Sequence, residues 1–352
     1  MESGWDIYLS KENKELNLDK KDLLILETLL ENSRATLTTL NKITKLSKVA
    51  LINRLKKLEK EKIIQGYSTI VNIHNLDYEM ITLMIKTKMT LTEKEEFIDY
   101  LKQIPFINQI VTPYSSDWDF MLRVYAKNRK DMDELITKIT KYGKILNLEL
   151  LYLDEWFWKG RNNLFIKLDL NKYQKKEDSS FYKTFQKKKI KTKYDQKDLE
   201  ILYYLSNNAR ISYIELGKKV NLSPDTISYR LKKLIQGNII GGFSIMIDTY
   251  MLGFTPYLLN LQIYNRTNTS KIINFLLNNT KTTGIMHFKG SWNLQVYFLI
   301  KKPSELKEIE EALLKEFGED INNYNFIQLK EQPYFEYFPR EFTNKSNKDY
   351  KK

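Results

Sequence analysis

The chain has no cysteine, which excludes disulfides and thiolate metal sites, and with two histidines a zinc site is not expected either. No stretch approaches the roughly 18 uninterrupted apolar residues a membrane span needs. The opening residues, MESGWDIYLS, lack the basic-then-apolar order of a secretory leader. These absences lead us to expect a cytoplasmic protein. What is present is an ordinary globular composition, 42% hydrophobic and 29% charged over 352 residues, long enough for three or four small domains with cores of their own. A net charge of +13 favours a polyanionic partner. Arginine is scarce, however: nine of the 57 basic residues, in a chain also rich in Ile, Asn and Tyr. A/T-biased coding produces that profile whatever the function, so charge alone does not decide for nucleic acid.

Internal similarity decides more. With Asp19 set against Asp195, Asp22 falls on Asp198, Leu26 on Leu202, Asn32 on Asn208, Arg34 on Arg210, Leu40 on Leu216 and Ser47 on Ser223. The run from Arg54 to Leu58 falls on Arg230 to Leu234, Ile63-Ile64 on Ile239-Ile240, and Gly66 on Gly242. After a two-residue adjustment Trp118 falls on Trp292. Four of the nine arginines lie in these pairs, so the chain reads as a tandem duplication. Between the copies, residues 159–193 carry Lys172 to Asp178 and Lys187-Lys188-Lys189 without periodicity, which reads as a basic, solvated linker.

Each copy opens with helix signals. Asp19 with Asp22, and Asp195 with Asp198, can cap a first helix whose stripe is Leu23, Leu26 and Leu30 or Leu199, Leu202 and Leu205. Thr36 and Ser212 cap a second helix, over about Leu37–Thr44 and Tyr213–Val220. Ser47 and Ser223 cap a third, with Pro224 at the position where a missing N–H costs nothing. Leu51, Leu55 and Leu58, or Ile227, Leu231 and Leu234, face its supports and leave the other side free to enter a major groove. Ile63 to Val71 and Ile239 to Ile247, with bends at Gly66 and Gly241-Gly242, read as a wing. Thereafter strand and helix patterns alternate as β-α-β-β-α-β in both copies, the ferredoxin-like order.

The pattern Asp-x-x-Asp, Asn-x-Arg, Leu-Ser-(Pro), Arg-Leu-x-x-Leu and Ile-Ile-x-Gly-Tyr/Phe resembles leucine-responsive/asparagine-type (Lrp/AsnC) transcriptional regulators over residues 18–158 and again over 194–338. Copy one is the closer match, with Glu59, Tyr67, Asn72, His74 and Leu76; copy two has Ile235 in place of the Glu. Both lack the usual glycine before the Ile-Ile pair and carry Lys62 and Asn238 there. The resemblance implies an α+β chain: two tandem copies of a winged helix-turn-helix (18–76 and 194–252), each followed by a ferredoxin-like effector and dimerisation domain (77–158 and 253–338). A short N-terminal extension (1–17) and a basic tail (339–352) complete the chain.

It further implies double-stranded DNA as partner, nucleoid association, self-association through the sensor domains and no cofactor beyond a small-molecule, often amino-acid, effector. Candidate base-reading residues are Lys48, Val49, Ile52, Asn53 and Lys56 in copy one, and Asp225, Thr226, Ser228, Tyr229 and Lys232 in copy two. Arg54, Lys57, Arg230 and Lys233 are expected as phosphate or wing-bracing groups, and Ser47 and Ser223 as caps that also reach phosphate. The family's Gly-x-x-Asp effector turn is split here. Copy one keeps Ser116 and Asp119, copy two keeps Gly290 and Asn293, and Trp118 and Trp292 beside them read as packing residues. Because the two reading faces differ, the sensor units are expected to pair within one chain and the heads to prefer an asymmetric site. Two rivals stay open: a Lys-rich architectural protein with little sequence preference, and a sirohaem-decarboxylase-like enzyme, whose His/Arg cluster this sequence does not display.

Overall fold

The computed structural model describes residues 18–115, 117–159, 183–185, 192–336 and 338–343. In copy one, α1 (Lys20–Glu31), α2 (Leu37–Thr44) and α3 (Lys48–Lys60) lead into β1 (Ile64–Val71) and β2 (Glu79–Thr87). Next come α4 (Leu91–Leu101), β3 (Ile107–Tyr114), β4 (Phe120–Ala126), α5 (Arg129–Lys141) and β5 (Ile145–Trp158). After a short β6 (Lys183–Phe185) the order recurs as α6 (Gln196–Asn207), α7 (Tyr213–Val220), α8 (Pro224–Gln236), β7 (Ile240–Ile247) and β8 (Thr255–Ile263). Copy two closes with α9 (Thr269–Asn278), β9 (Thr282–Lys289), β10 (Leu294–Ile300), α10 (Ser304–Phe317) and β11 (Ile321–Phe335). Among the described residues no helix is long and apolar enough to cross a membrane.

The caps fall where the side chains call for them. Asp19 and Asp195 each form a full capping box with Asp22 and Asp198. Thr36, Ser212, Ser47 and Ser223 each accept one backbone N–H at a helix start. Lys62 and Asn238 both take the left-handed conformation, at φ 61° and 54°, so the lysine performs the helix stop that glycine would perform more cheaply.

The wing strands do something the sequence pattern did not reveal. β1 and β7 pair with each other, antiparallel, from Ile64 opposite Ile247 to Val71 opposite Ile240. Each head then packs on the ribbon strand contributed by the other copy, α1 on β7 and α6 on β1. Thr69 Oγ1 donates to Leu205 O, and Ser244 Oγ donates to Leu30 O, both at 2.9 Å. These paired contacts repeat about a pseudo-two-fold axis through the ribbon.

The sheets cross over as well. The first half of β5 pairs β2 and the second half pairs β9. The first half of β11 pairs β8 and the second half pairs β3. The hydrogen-bonded order β2-β4-β3-β11-β8-β10-β9-β5 therefore closes on itself through β2–β5. Alternation along each strand sends Ile81, Leu83 and Ile85 against Phe97 and Leu101 of α4, and Met80 and Met84 to the interior. Copy two repeats the outer layer with Leu259, Leu261 and Ile263 against Ile272 and Leu276 of α9.

Two expected boundaries move. The linker contributes β6 to the free side of β5. Phe185 there is buried, and its ring lies 4.9 Å from that of Trp156, so an aromatic docks where charge-rich surroundings suggested only a solvated connector. Packing also runs past 338, because Phe342 is buried with its ring 4.1 Å from Tyr78.

Candidate nucleic-acid interface

The third helices hold the candidate reading residues. In α3, Leu51, Leu55 and Leu58 are buried and Lys48, Val49, Asn53, Lys56 and Lys57 are exposed, Val49 by 69%. In α8, Ile227, Leu231 and Leu234 are buried and Asp225, Tyr229 and Lys232 are exposed, Tyr229 by 70%. Ile52, Thr226, Ser228 and Lys233 are half-buried. Ile52 lines a groove with Lys56 and with Arg210 of the other head. Ser47 Oγ accepts from Ala50 N at 3.2 Å and Ser223 Oγ from Thr226 N at 3.2 Å, while Thr226 Oγ1 lies 2.8 Å from Ser223 Oγ. Thr226 is thus partly spent on the cap.

Arg54 and Arg230, expected as phosphate or wing-bracing groups, are engaged inside their own heads. Arg54 Nη1 lies 2.7 Å from Asp19 and 2.8 Å from Asp22. Arg230 Nη1 lies 2.8 Å from Asp195 and 2.9 Å from Asp198. Each guanidinium pins the third helix to the capping box of the first, and the hydrogen bonds to Asp22 and Asp198 raise both arginines above their ordinary range. The Asp198 side chain is fully buried, so this carboxylate depends on its partner. Lys233 stands 4.0 Å from the same carboxylate and joins the brace, whereas Lys57 projects outward. The physical reason is proximity: an acidic N-cap within reach binds arginine continuously, with no need of DNA.

Sequence reasoning missed the role of the other repeated arginines. Arg34 donates to the carbonyl of Ala209 and lies over the Tyr213 and Phe243 rings at 5.2 and 5.5 Å. Arg210 donates to Ala35 O at 3.2 Å and lies 5.1 Å from the Tyr67 ring centroid. This crossed latch ties each head to the other. Its signal was already visible as an Arg-Arg pair in the repeat register. Tyr67 also donates to Glu59 at 2.5 Å, and burial with that carboxylate pushes its hydroxyl up to about 12.

The split effector turn is built into the strands. Asp119 accepts from Thr87 N at 2.8 Å and from Lys94 Nζ at 2.6 Å; burial raises its pKa, but these hydrogen bonds prevail and lower it. Asn293 does the equivalent job, accepting from Ile263 N at 2.6 Å. Both therefore tie the start of one strand to the end of its neighbour. At Gly290 a Cβ would come within 2.9 Å of Leu151 Cδ2, so the glycine makes room for β5. Ser116 lies outside the described residues. Trp118 is buried in the inner core and Trp292 packs against it.

A winged helix-turn-helix DNA-binding family model matches residues 194–240. An uncharacterised HTH-type transcriptional regulator of Pyrococcus furiosus is 34% identical over 119 residues, covering 34% of this chain and 76% of its own length. The HTH-type transcriptional regulator LrpA of Pyrococcus abyssi is 33% identical over 131 residues, 36% of this chain and 88% of its own. This chain belongs to the Lrp/AsnC family of helix-turn-helix transcriptional regulators. Each of these relatives matches about one copy's length of it. The solved structure of the sirohaem decarboxylase NirDL matches 92% of this regulator and 96% of its own chain at TM-score 0.61 and 11% identity, a likeness of fold.

Proposed function

We propose that this regulator reads double-stranded DNA with two unlike heads in one molecule, its two βαββαβ units standing in for the paired subunits of a dimer. The observation that supports this is the bare outer side of both α3 and α8, each braced from behind by the same Arg–Asp latch yet offering different side chains. Lys48, Asn53 and Lys56, with exposed Val49, suit base edges and a thymine methyl on one side; Ser228, Tyr229 and Lys232 suit a different sequence on the other. Lys57 adds a phosphate contact. Unlike heads across a pseudo-two-fold should select a site whose halves differ. The test joins the mass in solution to selection of sites from random duplex DNA at near-physiological salt. A monomeric mass with asymmetric sites is expected; palindromes bound by a monomer would refute the reading.

One observation favours the architectural rival. Asp225 in the first turn of α8 repels phosphate, so head two could contribute little sequence reading. A steep salt dependence with little discrimination between sequences would select that alternative. We read the chain as non-enzymatic. Its histidines sit on separate elements, His74 in the turn after β1 and His287 on β9 at 3.7 Å from Glu155, and neither lines the cavity that the closed sheet and the β1–β7 ribbon enclose. Adding sirohaem and finding a Soret shift with loss of carboxylate would overturn this.

A further inference from the structure

Each head is held by the other through the turn between its first two helices. An asparagine opens that turn in both copies: Asn32 Oδ1 accepts from Arg34 N at 2.9 Å and Asn208 Oδ1 from Arg210 N at 3.0 Å. The turn is bonded in addition to the ribbon strand of the other copy. Ser33 N donates to Phe243 O at 3.2 Å, and Ala209 N to Tyr67 O at 2.8 Å. From the same turns the arginine side chains cross to the opposite head, Arg34 to the carbonyl of Ala209 and Arg210 to that of Ala35. The two half-buried guanidiniums lie close enough to repel. Burial and the like charge of Arg210 lower the pKa of Arg34, against the opposing pull of Tyr213. A two-stranded ribbon is strongly twisted and marginally stable by itself, so β1 with β7 alone would set the angle between the heads only loosely. The crossed turns add contacts between the helical parts of the heads.

The two crossings end differently. Arg210 lies 5.1 Å from the ring centroid of Tyr67, whose hydroxyl donates at 2.5 Å to Glu59 on the last turn of α3. Glu59 shares one side of α3 with Ile52 and Lys56, and these three line a groove of about 1010 Å³ together with Arg210. Head two is thus connected to the reading helix of head one. In the other direction the relay is broken. Phe243 stands in the place of Tyr67 and has no hydroxyl, and Ile235, 46% exposed, stands in the place of Glu59. Arg34 packs instead over the Tyr213 ring at 5.2 Å, at the start of α7.

We propose that Arg34 and Arg210 are positioning residues that fix the spacing and rotation between the two half-sites, and that α3 depends on this setting more than α8 does. The inference rests on both heads reading DNA. Each base pair inserted between half-sites moves one of them by about 3.4 Å and turns it by roughly 35°. Clamped heads follow neither change, whereas heads joined by the ribbon alone accommodate small ones.

Binding of the full chain to a selected site, and to versions with base pairs inserted one at a time between its halves, tests this. The unaltered chain is expected to lose at least about tenfold at one inserted pair. Arg34→Gln with Arg210→Gln is expected to keep the preference within each half while the one-pair penalty falls below about threefold. Arg34→Lys with Arg210→Lys keeps both charges but drops the planar fork; it is expected to act likewise and replaces the first variant should that one not fold. Glu59→Ile should relax discrimination in the half read by α3 and leave the other half unchanged. Ile235→Glu should alter neither half, because Phe243 offers the new carboxylate no hydroxyl. The proposal is wrong if the unaltered chain tolerates every spacing. It is equally wrong if the folded arginine variants retain the full one-pair penalty, with or without a uniform loss of affinity, or if Glu59→Ile affects both halves alike. Selection of palindromes would instead refute the unlike heads and leave the spacing series to be measured on the palindrome.

Discussion

In head one the exposed side of α3 presents Lys48, Val49, Asn53 and Lys56; at the same places α8 of head two presents Pro224, Asp225, Tyr229 and Lys232. Turned inward, the two helices are nearly interchangeable, with Leu51 against Ile227, Leu55 against Leu231, Leu58 against Leu234 and Arg54 against Arg230. Packing and bracing were kept while the outer residues diverged. Drift alone would respect that division, because an exposed position tolerates change that a buried one does not, but it need not replace lysine and valine by proline and aspartate at a helix tip. The two helices share one mount and differ in the side chains they expose.

The largest effect should come from breaking the mount. Arg230→Met leaves the buried Asp198 carboxylate without its arginine and is expected to cost about 3–5 kcal/mol, with Arg54→Met at the lower end since Arg54 is the more exposed guanidinium, 29% against 21%. Chemical denaturation measures both, and equal small losses would show that the latch does little. Acid probes the same contacts. Asp19 is held below the usual carboxylate range by the Asp22 N–H and by Arg54 against the opposing effect of burial; for Asp195, burial is outweighed by Arg230 and the Asp198 N–H. A depressed folded pKa contributes stability that is present above the unfolded value, near 3.9, and lost as pH falls through the folded one. Both heads should therefore loosen below about pH 4, and Arg54→Met with Arg230→Met should flatten that dependence.

Next in size are the reading residues. Asn53→Ala and Tyr229→Ala are each expected to cost about 1–3 kcal/mol of DNA binding and to relax preference in opposite halves of the site. Loss of preference in the same half would merge the two heads into one. Lys56→Ala and Lys232→Ala should weaken all sequences alike and each lower the salt slope by about 1. Smallest is Asp225→Asn. It should remove about 0.3–1 kcal/mol of helix stability while strengthening DNA binding at low salt, so a binding loss would mean that Asp225 reads a base.

Local chemistry made much of this legible. Capping boxes act over three residues and apolar stripes over one helix, so Asp19, Ser47, Asp195 and Ser223 marked helix starts directly. The left-handed stop at Lys62 could be placed by register even though its side chain disfavours it. Partner choice was not legible. β1 has the alternation of a wing strand whether it folds back or meets β7, and only the assembled heads select β7. The outer halves of β5 and β11 likewise look like ordinary strand ends until another copy's edge stands beside them. The repeated arginines were visible as pairs, but their acceptors lie on segments that only tertiary folding brings near, Arg54 on Asp22 and Arg34 on Ala209. The contact of Arg123 with Tyr297 escaped notice for the same reason, since both are unremarkable strand residues until the sheet closes on itself.

The absence of cysteine permits a direct measurement of the two-headed claim, because one introduced thiol is the only one in the chain. An iron chelate tethered to Val49→Cys or to Tyr229→Cys cleaves DNA near the helix that carries it. On a selected site, the first conjugate should cut one half and the second the other half, in a fixed orientation. Cleavage of both halves by either conjugate, in equal measure, would contradict the account and leave two interchangeable heads.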